Sequence, residues 1–267
     1  MKYKMIVTDL DDTLLNEKGE ISLRDKEAIM KAQKMGVKFV LASGRPTFAM
    51  KHLAEELELS KYGSFILSYN GAIITECSTG KEFLKESLTK DEIHELHNFS
   101  KEHKVHIITY LDDSIISETE SEYIDVEKNL TGMPHKKVPS FKEYVNREAV
   151  KCIMLEEPKY LKLVEEKLKN KFGDRYSIAI SKPFFLEVTK LGIDKGNSLI
   201  KLIKHLNISA DEVIVAGDSY NDISMLKVAG LSVAVSNAKP EIKEMVDFIT
   251  SSNIDGGMET IINKYIF

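Results

Sequence analysis

The sequence contains no tryptophan, two cysteines and six prolines in 267 residues. It also lacks any long apolar run, and each shortage excludes something. Cys77 and Cys152 lie far apart and without metal-ligand spacing, so there is no disulfide framework. Isolated thiols suit a reducing compartment, which points to the cytoplasm. No window reaches the ~20 apolar residues that a membrane-spanning helix needs. The opening Met-Lys-Tyr-Lys-Met-Ile-Val is basic and then apolar, but the run stops at Thr8-Asp9. That is too short for a signal peptide and reads as a first buried strand. Neither charge sign dominates: Lys and Arg number 37 and Asp and Glu 42, a net charge of −5. Such a balance carries no general footprint for nucleic acid. No internal repeat or low-complexity segment is present. What remains is 43% apolar and 30% charged, the balance of a globular protein with enough material for a sizeable core.

The chain has two textures. Residues 4–68 alternate apolar runs with amphipathic stretches: strands at Lys4–Thr8, Val37–Ala42 and Ser64–Ser68, and helices capped by Ser22 and opened by Pro46. Near-continuous apolar strands alternating with helices predict a parallel sheet covered on both faces. The same rhythm returns after about Lys190, with a helix from Asp194, a strand to Ala216, a helix over Asn221–Val228, a strand at Leu231–Val235 and a C-terminal helix. The middle is different. It shows hairpins around Ser78-Thr79-Gly80 and Asp112-Asp113 and two main helices, one with a Thr89/Glu92 capping box and one opened by Pro158. The expected architecture is α/β: a Rossmann-like core formed by 1–83 and 189–267, with an inserted α+β domain at 84–188.

Four clusters carry chemistry. Asp9-Leu10-Asp11-Asp12-Thr13 follows the first strand, so its carboxylates stand at a strand's carboxyl end, where open α/β sheets place ligands. Two carboxylates buried together call for a cation, and oxygen ligands suit Mg²⁺. Ser43-Gly44-Arg45-Pro46 follows the second strand and can offer a hydroxyl and an N–H to a phosphate. Taken alone, it fits a plain serine helix cap with a glycine turn better. Lys195 stands near a helix start, against the dipole, which hints at a partner elsewhere. Asp218 and Asp222 follow another apolar strand, four residues apart. Each cluster alone also fits a structural role; their order, each after a strand or at a helix start, makes them a set.

As a set they resemble the haloacid dehalogenase superfamily, in particular its Cof-type phosphatases with a large cap inserted into the core. The matching motifs are Asp-Leu-Asp-Asp-Thr at 9–13, Ser-Gly-Arg at 43–45, Asn-Gly-Ala at 70–72, Lys-Gly at 195–196 and Gly-Asp-Ser-Tyr-Asn-Asp at 217–222. The resemblance implies that Asp9 is the nucleophile, forming an aspartyl-phosphate, and that Asp11 is the general acid and base. It implies Mg²⁺ held by Asp9, the Asp11 carbonyl and Asp218, with Asp222 orienting metal waters. Ser43, the N–H groups of Leu10 and Gly44, Lys195 and Asn221 then grip the phosphoryl group. Thr13 supports the Asp11 loop, and Arg45 serves either the substrate or the loop.

The implied activity is a Mg²⁺-dependent phosphatase of small phosphorylated metabolites, sugar phosphates first, with pyridoxal or flavin-pathway phosphates as further candidates. A hexose phosphomutase and a ligand-binding regulatory protein are the competing readings. The expected assembly is a monomer or weak homodimer, with no nucleic-acid or membrane partner. Asn70 and Gly71 are placed at the site entrance, and cap hinges near 82–86 and 187–191. Glu187 faces substrate or makes a structural hydrogen bond. His94 and His97 are assigned to a solvated helix face, and Lys136-Lys137 to a loop.

Overall fold

A computed structural model describes residues 2–267. It forms two compact units, one running through Leu84 and resuming at Asp194–Phe267, the other Lys85–Ile193. In the first unit β1 (Met5–Thr8) is buried at every position, as a strand covered on both faces must be. It is followed by α1 (Leu23–Lys34), β2 (Lys38–Ala42), α2 (Thr47–Glu56), β3 (Phe65–Ser68), β4 (Ile73–Glu76) and β5 (Glu82–Lys85). The Ser22 hydroxyl caps α1 by accepting the Asp25 N–H at 3.1 Å. Pro46 stands just before α2 rather than as its first residue.

The second unit comprises α3 (Lys90–Glu102), β6 (His106–Leu111), β7 (Ser114–Ser117), α4 (Glu122–Thr131), β8 (His135–Lys137), α5 (Phe141–Tyr144), β9 (Lys151–Leu155), α6 (Pro158–Phe172), β10 (Tyr176–Lys182) and β11 (Phe185–Lys190). Its sheet runs β10-β11-β9-β6-β7-β8. Alternate residues of these strands, Ile107, Cys152, Met154, Leu186 and Val188, pack with Leu96, Phe99, Leu161 and Val164 of α3 and α6 in one core, as the period of two requires. The capping box of α3 is present. Asp112 and Asp113 both take positive φ, 51° and 54°, the twist a two-residue hairpin turn needs.

Three expectations for this unit are corrected. It has a further helix, α4, which buries only Ile124, Glu127 and Thr131; so few buried positions leave little apolar periodicity to read. Lys136 and Lys137 belong to β8, paired parallel to β7, not to a loop. His94 and His97 are not on a solvated face. His97 is only 6% exposed and stacks on Phe141 at 4.9 Å, while His94 donates to the Val145 carbonyl at 2.7 Å. Glu187 takes its structural alternative and pairs with buried Lys151 at 3.0 Å.

The chain then returns to the first unit with α7 (Lys195–His205), β12 (Val213–Gly217), α8 (Ile223–Leu226), β13 (Leu231–Val235), α9 (Pro240–Lys243), β14 (Phe248–Thr250) and α10 (Gly257–Tyr265). The expected helix over Asn221–Val228 is a 3-10 turn at Tyr220–Asp222 followed by the short α8. The large sheet has the order β14-β13-β12-β1-β2-β3-β4-β5, parallel from β14 to β3 with β4 antiparallel to β3. Ile6 faces a core shared with Ile29 of α1, Leu53 of α2 and Ile262 of α10. Its neighbours Met5 and Val7 face the opposite core, with Leu199, Met225 and Ile242. This is a Rossmann-like doubly covered sheet. From β1 the chain builds outward to β2 and β3, and later from β12 the other way. The switch between β1 and β12 opens a crevice at their carboxyl ends. No helix among the described residues is long and apolar enough to cross a membrane.

Candidate active site

Asp9 and Asp218 follow β1 and β12 and therefore stand side by side at the switch point. The Asp9 N–H donates to the Ala216 carbonyl at 3.0 Å, which ties the two strand ends together. Asp222 folds back under this edge, its Oδ2 accepting the N–H groups of Asp218 at 3.0 Å and Ser219 at 3.1 Å. Gly217 permits the approach, because a Cβ there meets the Asp222 side chain at 2.7 Å. The Lys195 ammonium bridges the two acids, 2.5 Å from Asp9 Oδ1 and 2.7 Å from Asp222 Oδ1. That contact answers the oddity of a lysine in the first turn of α7. Lys195 and Asp222 are fully buried and Asp9 is 5% exposed.

The electrostatics follow from this crowding. Asp9, Asp218 and Asp222 offer carboxylate oxygens within 4.8 Å of one another, against the single Lys195 ammonium. Burial pushes Asp9 well above the usual carboxylate range; Lys195 opposes the shift, while Asp222 and Asp218 add to it. Asp218 is raised to about 6 by burial and then by Asp222. Burial alone lowers Lys195, but Asp9 and Asp222 outweigh it and hold its pKa up. An excess of buried carboxylate with oxygen donors only is the setting that a hard divalent cation relieves. Asp222 is the most heavily engaged of the three, with Oδ1 accepting from Lys195 and Oδ2 from two N–H groups. The Thr13 hydroxyl donates to Asp218 Oδ1 at 2.9 Å. Thr13 therefore fixes a carboxylate 205 residues away, while its N–H donates to the Leu10 carbonyl at 3.3 Å within the Asp11 loop.

The loop after β2 forms the other wall. The Ser43 N–H donates to the Leu67 carbonyl at 2.9 Å, and Ser43 Oγ accepts the Arg45 N–H at 3.1 Å. Gly44 lies against the Asn70 amide, where a Cβ stands 3.2 Å from Asn70 Nδ2. Asn70 Oδ1 also accepts from Asn221 Nδ2 at 3.3 Å, so Asn70 joins this loop to the one after β12. Tyr69 and Asn70 hold this place with φ of 52° and 55°, a strain that clusters at functional sites. The Arg45 side chain reaches Asp11. Leu10 is fully buried, and its carbonyl accepts the N–H groups of Thr13, Leu14 and Leu15. Two residues escaped the sequence reading: Asn237 donates to the Asp12 carbonyl at 2.7 Å and Asn253 to the Leu15 carbonyl at 2.8 Å. Loop asparagines are too common for either to stand out in a sequence.

The sequence profile of haloacid dehalogenase-like hydrolases matches residues 6–262. The chain belongs to this family. As a haloacid dehalogenase-like hydrolase it is 32% identical over 269 residues to a protein of Streptococcus pyogenes serotype M6, covering 100% of this chain and 99% of that protein. It is 31% identical to the 5-amino-6-(5-phospho-D-ribitylamino)uracil phosphatase YcsE of Bacillus subtilis, covering 98% of this chain and 96% of the relative. Among solved structures, a haloacid dehalogenase-like hydrolase from Bacteroides thetaiotaomicron superimposes with a TM-score of 0.95 at 36% identity, each chain covered in full. The enzyme thus falls among the phosphatases of its superfamily.

Proposed function

We propose that this hydrolase is a Mg²⁺-dependent phosphatase acting in the cytoplasm on small phosphorylated metabolites, sugar phosphates foremost, through an aspartyl-phosphate. The observation that carries this reading is the buried Asp9–Lys195–Asp222 chain beside Asp218: a fixed carboxylate with an ammonium at hand and a surplus of negative charge suited to a cation. An Asp9 oxygen attacks phosphorus, the bond from phosphorus to the ester oxygen breaks, and Asp11 gives that oxygen its proton. Water then attacks the same phosphorus and passes a proton back to Asp11. The Asp9–phosphorus bond breaks and inorganic phosphate leaves.

Asp9, Asp218 and the Asp11 carbonyl would hold Mg²⁺, which when bound would offset the repulsion between anionic nucleophile and anionic substrate. Ser43, the N–H groups of Leu10 and Gly44, Lys195 and Asn221 grip the phosphoryl oxygens with preorganised donors. Asp222 keeps Lys195 in place through Oδ1 and would orient the metal's waters. Thr13 orients Asp218. The ribityl phosphate named for the Bacillus relative supports putting phosphorylated sugars and polyols first.

The test is phosphate release from a panel of phosphorylated sugars, polyols, pyridoxal phosphate, flavin-pathway phosphates and an aryl phosphate, with Mg²⁺, by wild type and Asp9→Asn. Wild type releases phosphate, chelator stops it, and Asp9→Asn loses activity by about a thousandfold or more while remaining folded. Activity in Asp9→Asn sinks the nucleophile assignment. Silence of folded wild type across the panel moves the reading to a phosphomutase or a binding protein.

A further inference from the structure

The Asp11–Arg45 ion pair gives the site a resting posture that the proposed chemistry has to undo. Asp11 Oδ2 accepts from Arg45 Nε at 3.0 Å and Oδ1 from Nη2 at 2.5 Å. A carboxylate held by both oxygens in this fork is turned to the guanidinium and has to leave it to hand a proton to a leaving group or take one from water. Arg45 cannot carry Asp11 to a new place, because its backbone is pinned at both ends. Its N–H donates to Ser43 Oγ at 3.1 Å, and its carbonyl accepts the Tyr69 N–H at 2.9 Å. The two side chains are free to part. Arg45 is 25% exposed and Asp11 59%, so water screens the pair and its opening costs little.

Something must also take Asp11's place on the guanidinium. A fork that fits two carboxylate oxygens fits two phosphoryl oxygens just as well, and a phosphate monoester carries more charge. Gly44 and Ser43, which grip the phosphoryl group in the reading above, are the two residues preceding Arg45. We propose that Arg45 is a phosphate-binding exchange residue: it sequesters Asp11 while the site is empty, and an arriving phosphoryl group takes over the guanidinium and releases the Asp11 carboxylate for proton transfer. This rests on the phosphatase reading. It makes the proton-transfer group available only when there is a phosphoryl group to act on.

The test uses the full chain with Mg²⁺: steady-state kinetics on an aryl and an alkyl phosphate, with inorganic phosphate as competitive inhibitor, for wild type, Arg45→Lys and Arg45→Gln. Calorimetry of inorganic phosphate binding is added for wild type, Asp11→Ala and the Asp11→Ala/Arg45→Gln double variant. Exchange predicts that Arg45→Gln raises KM and the phosphate Ki together, by about tenfold or more, the worth of a charge-assisted bidentate contact. It leaves the ratio of alkyl to aryl kcat unchanged, and Arg45→Lys falls between. Asp11→Ala, by removing the competing carboxylate, tightens phosphate binding by up to about fivefold, the worth of an exposed ion pair. The double variant loses that gain.

A selective drop in alkyl kcat for Arg45→Gln with KM and Ki unchanged overturns the proposal, since Arg45 then serves Asp11 during turnover. Unchanged phosphate affinity in Asp11→Ala overturns it as well. If Arg45→Gln fails to fold, Arg45→Lys and Asp11→Ala carry the test. A wild type silent on every substrate removes the phosphatase reading, while the calorimetry still decides the exchange.

Discussion

At the scale of single residues, Lys195 is the ammonium that the buried acids of the site share. It is fully buried and its ammonium meets two carboxylates. Removing one partner of a buried ion pair leaves the others uncompensated and costs about 3–5 kcal/mol. Lys195→Met is therefore expected to lower the free energy of unfolding by about that amount, read from urea denaturation of metal-free protein. A loss under 1 kcal/mol means that water reaches the cluster and the site is softer than its burial implies. Asp9→Asn acts in the opposite sense, because it removes one charge from an acidic surplus, so its melting temperature does not fall. Asp218 makes the complementary case. Mg²⁺ is expected to raise the melting temperature of wild type and to leave that of Asp218→Asn nearly unchanged. An equal rise in both places the ion elsewhere.

At the scale of elements, the second unit has its own acid-sensitive joint. Glu118 lies just beyond β7 and ties three elements together. It accepts the Phe141 N–H at the start of α5 at 2.6 Å, and meets Lys101 of α3 at 2.7 Å and His97 of α3 at 3.3 Å. Burial raises its carboxyl, but Lys101, the Phe141 N–H and His97 together outweigh this and hold it at about 2. A depressed carboxyl contributes stability above its unfolded value of 4.5 and loses it as pH falls toward 2. The melting temperature of wild type is thus expected to fall through that window more steeply than that of Glu118→Gln. Parallel acid limbs refute the assignment. Some element contacts were readable in the sequence and others were not. The capping box of α3 and the Asp112-Asp113 turn are local, each made by residues a few places apart. The burial of His97 against Phe141 is not, since the two lie far apart in the chain and α5, only four residues long, carries no apolar repeat long enough to read.

At the scale of the whole molecule, the insert carries a core of its own. Every member of its main apolar cluster, from Leu88 to Val188, lies within Lys85–Ile193. Its two ends are also tied together: Lys190 pairs with Glu86 at 2.7 Å. A fragment spanning 85–193 is therefore expected to fold alone and melt cooperatively, as a domain with its own core does. A fragment that shows secondary structure without a cooperative transition contradicts this. The return of the alternating pattern after about Lys190 made the interrupted domain visible beforehand, because buried parallel strands leave apolar runs that turn residues bracket.

The sequence by itself determined which residues stand at the carboxyl ends of the core strands, and so which carboxylates and hydroxyls gather at the switch point. A strand end and the turn after it are set by neighbours in the chain. Only the tertiary structure decided what each of those groups touches. Thr13 reaches Asp218, Asp222 accepts from Lys195 and two N–H groups, Asn70 bridges to Asn221, and Arg45 lies on Asp11. Those partners come from elements up to 205 residues apart. A buried polar group takes whichever partner the packing of distant strands and helices brings within reach.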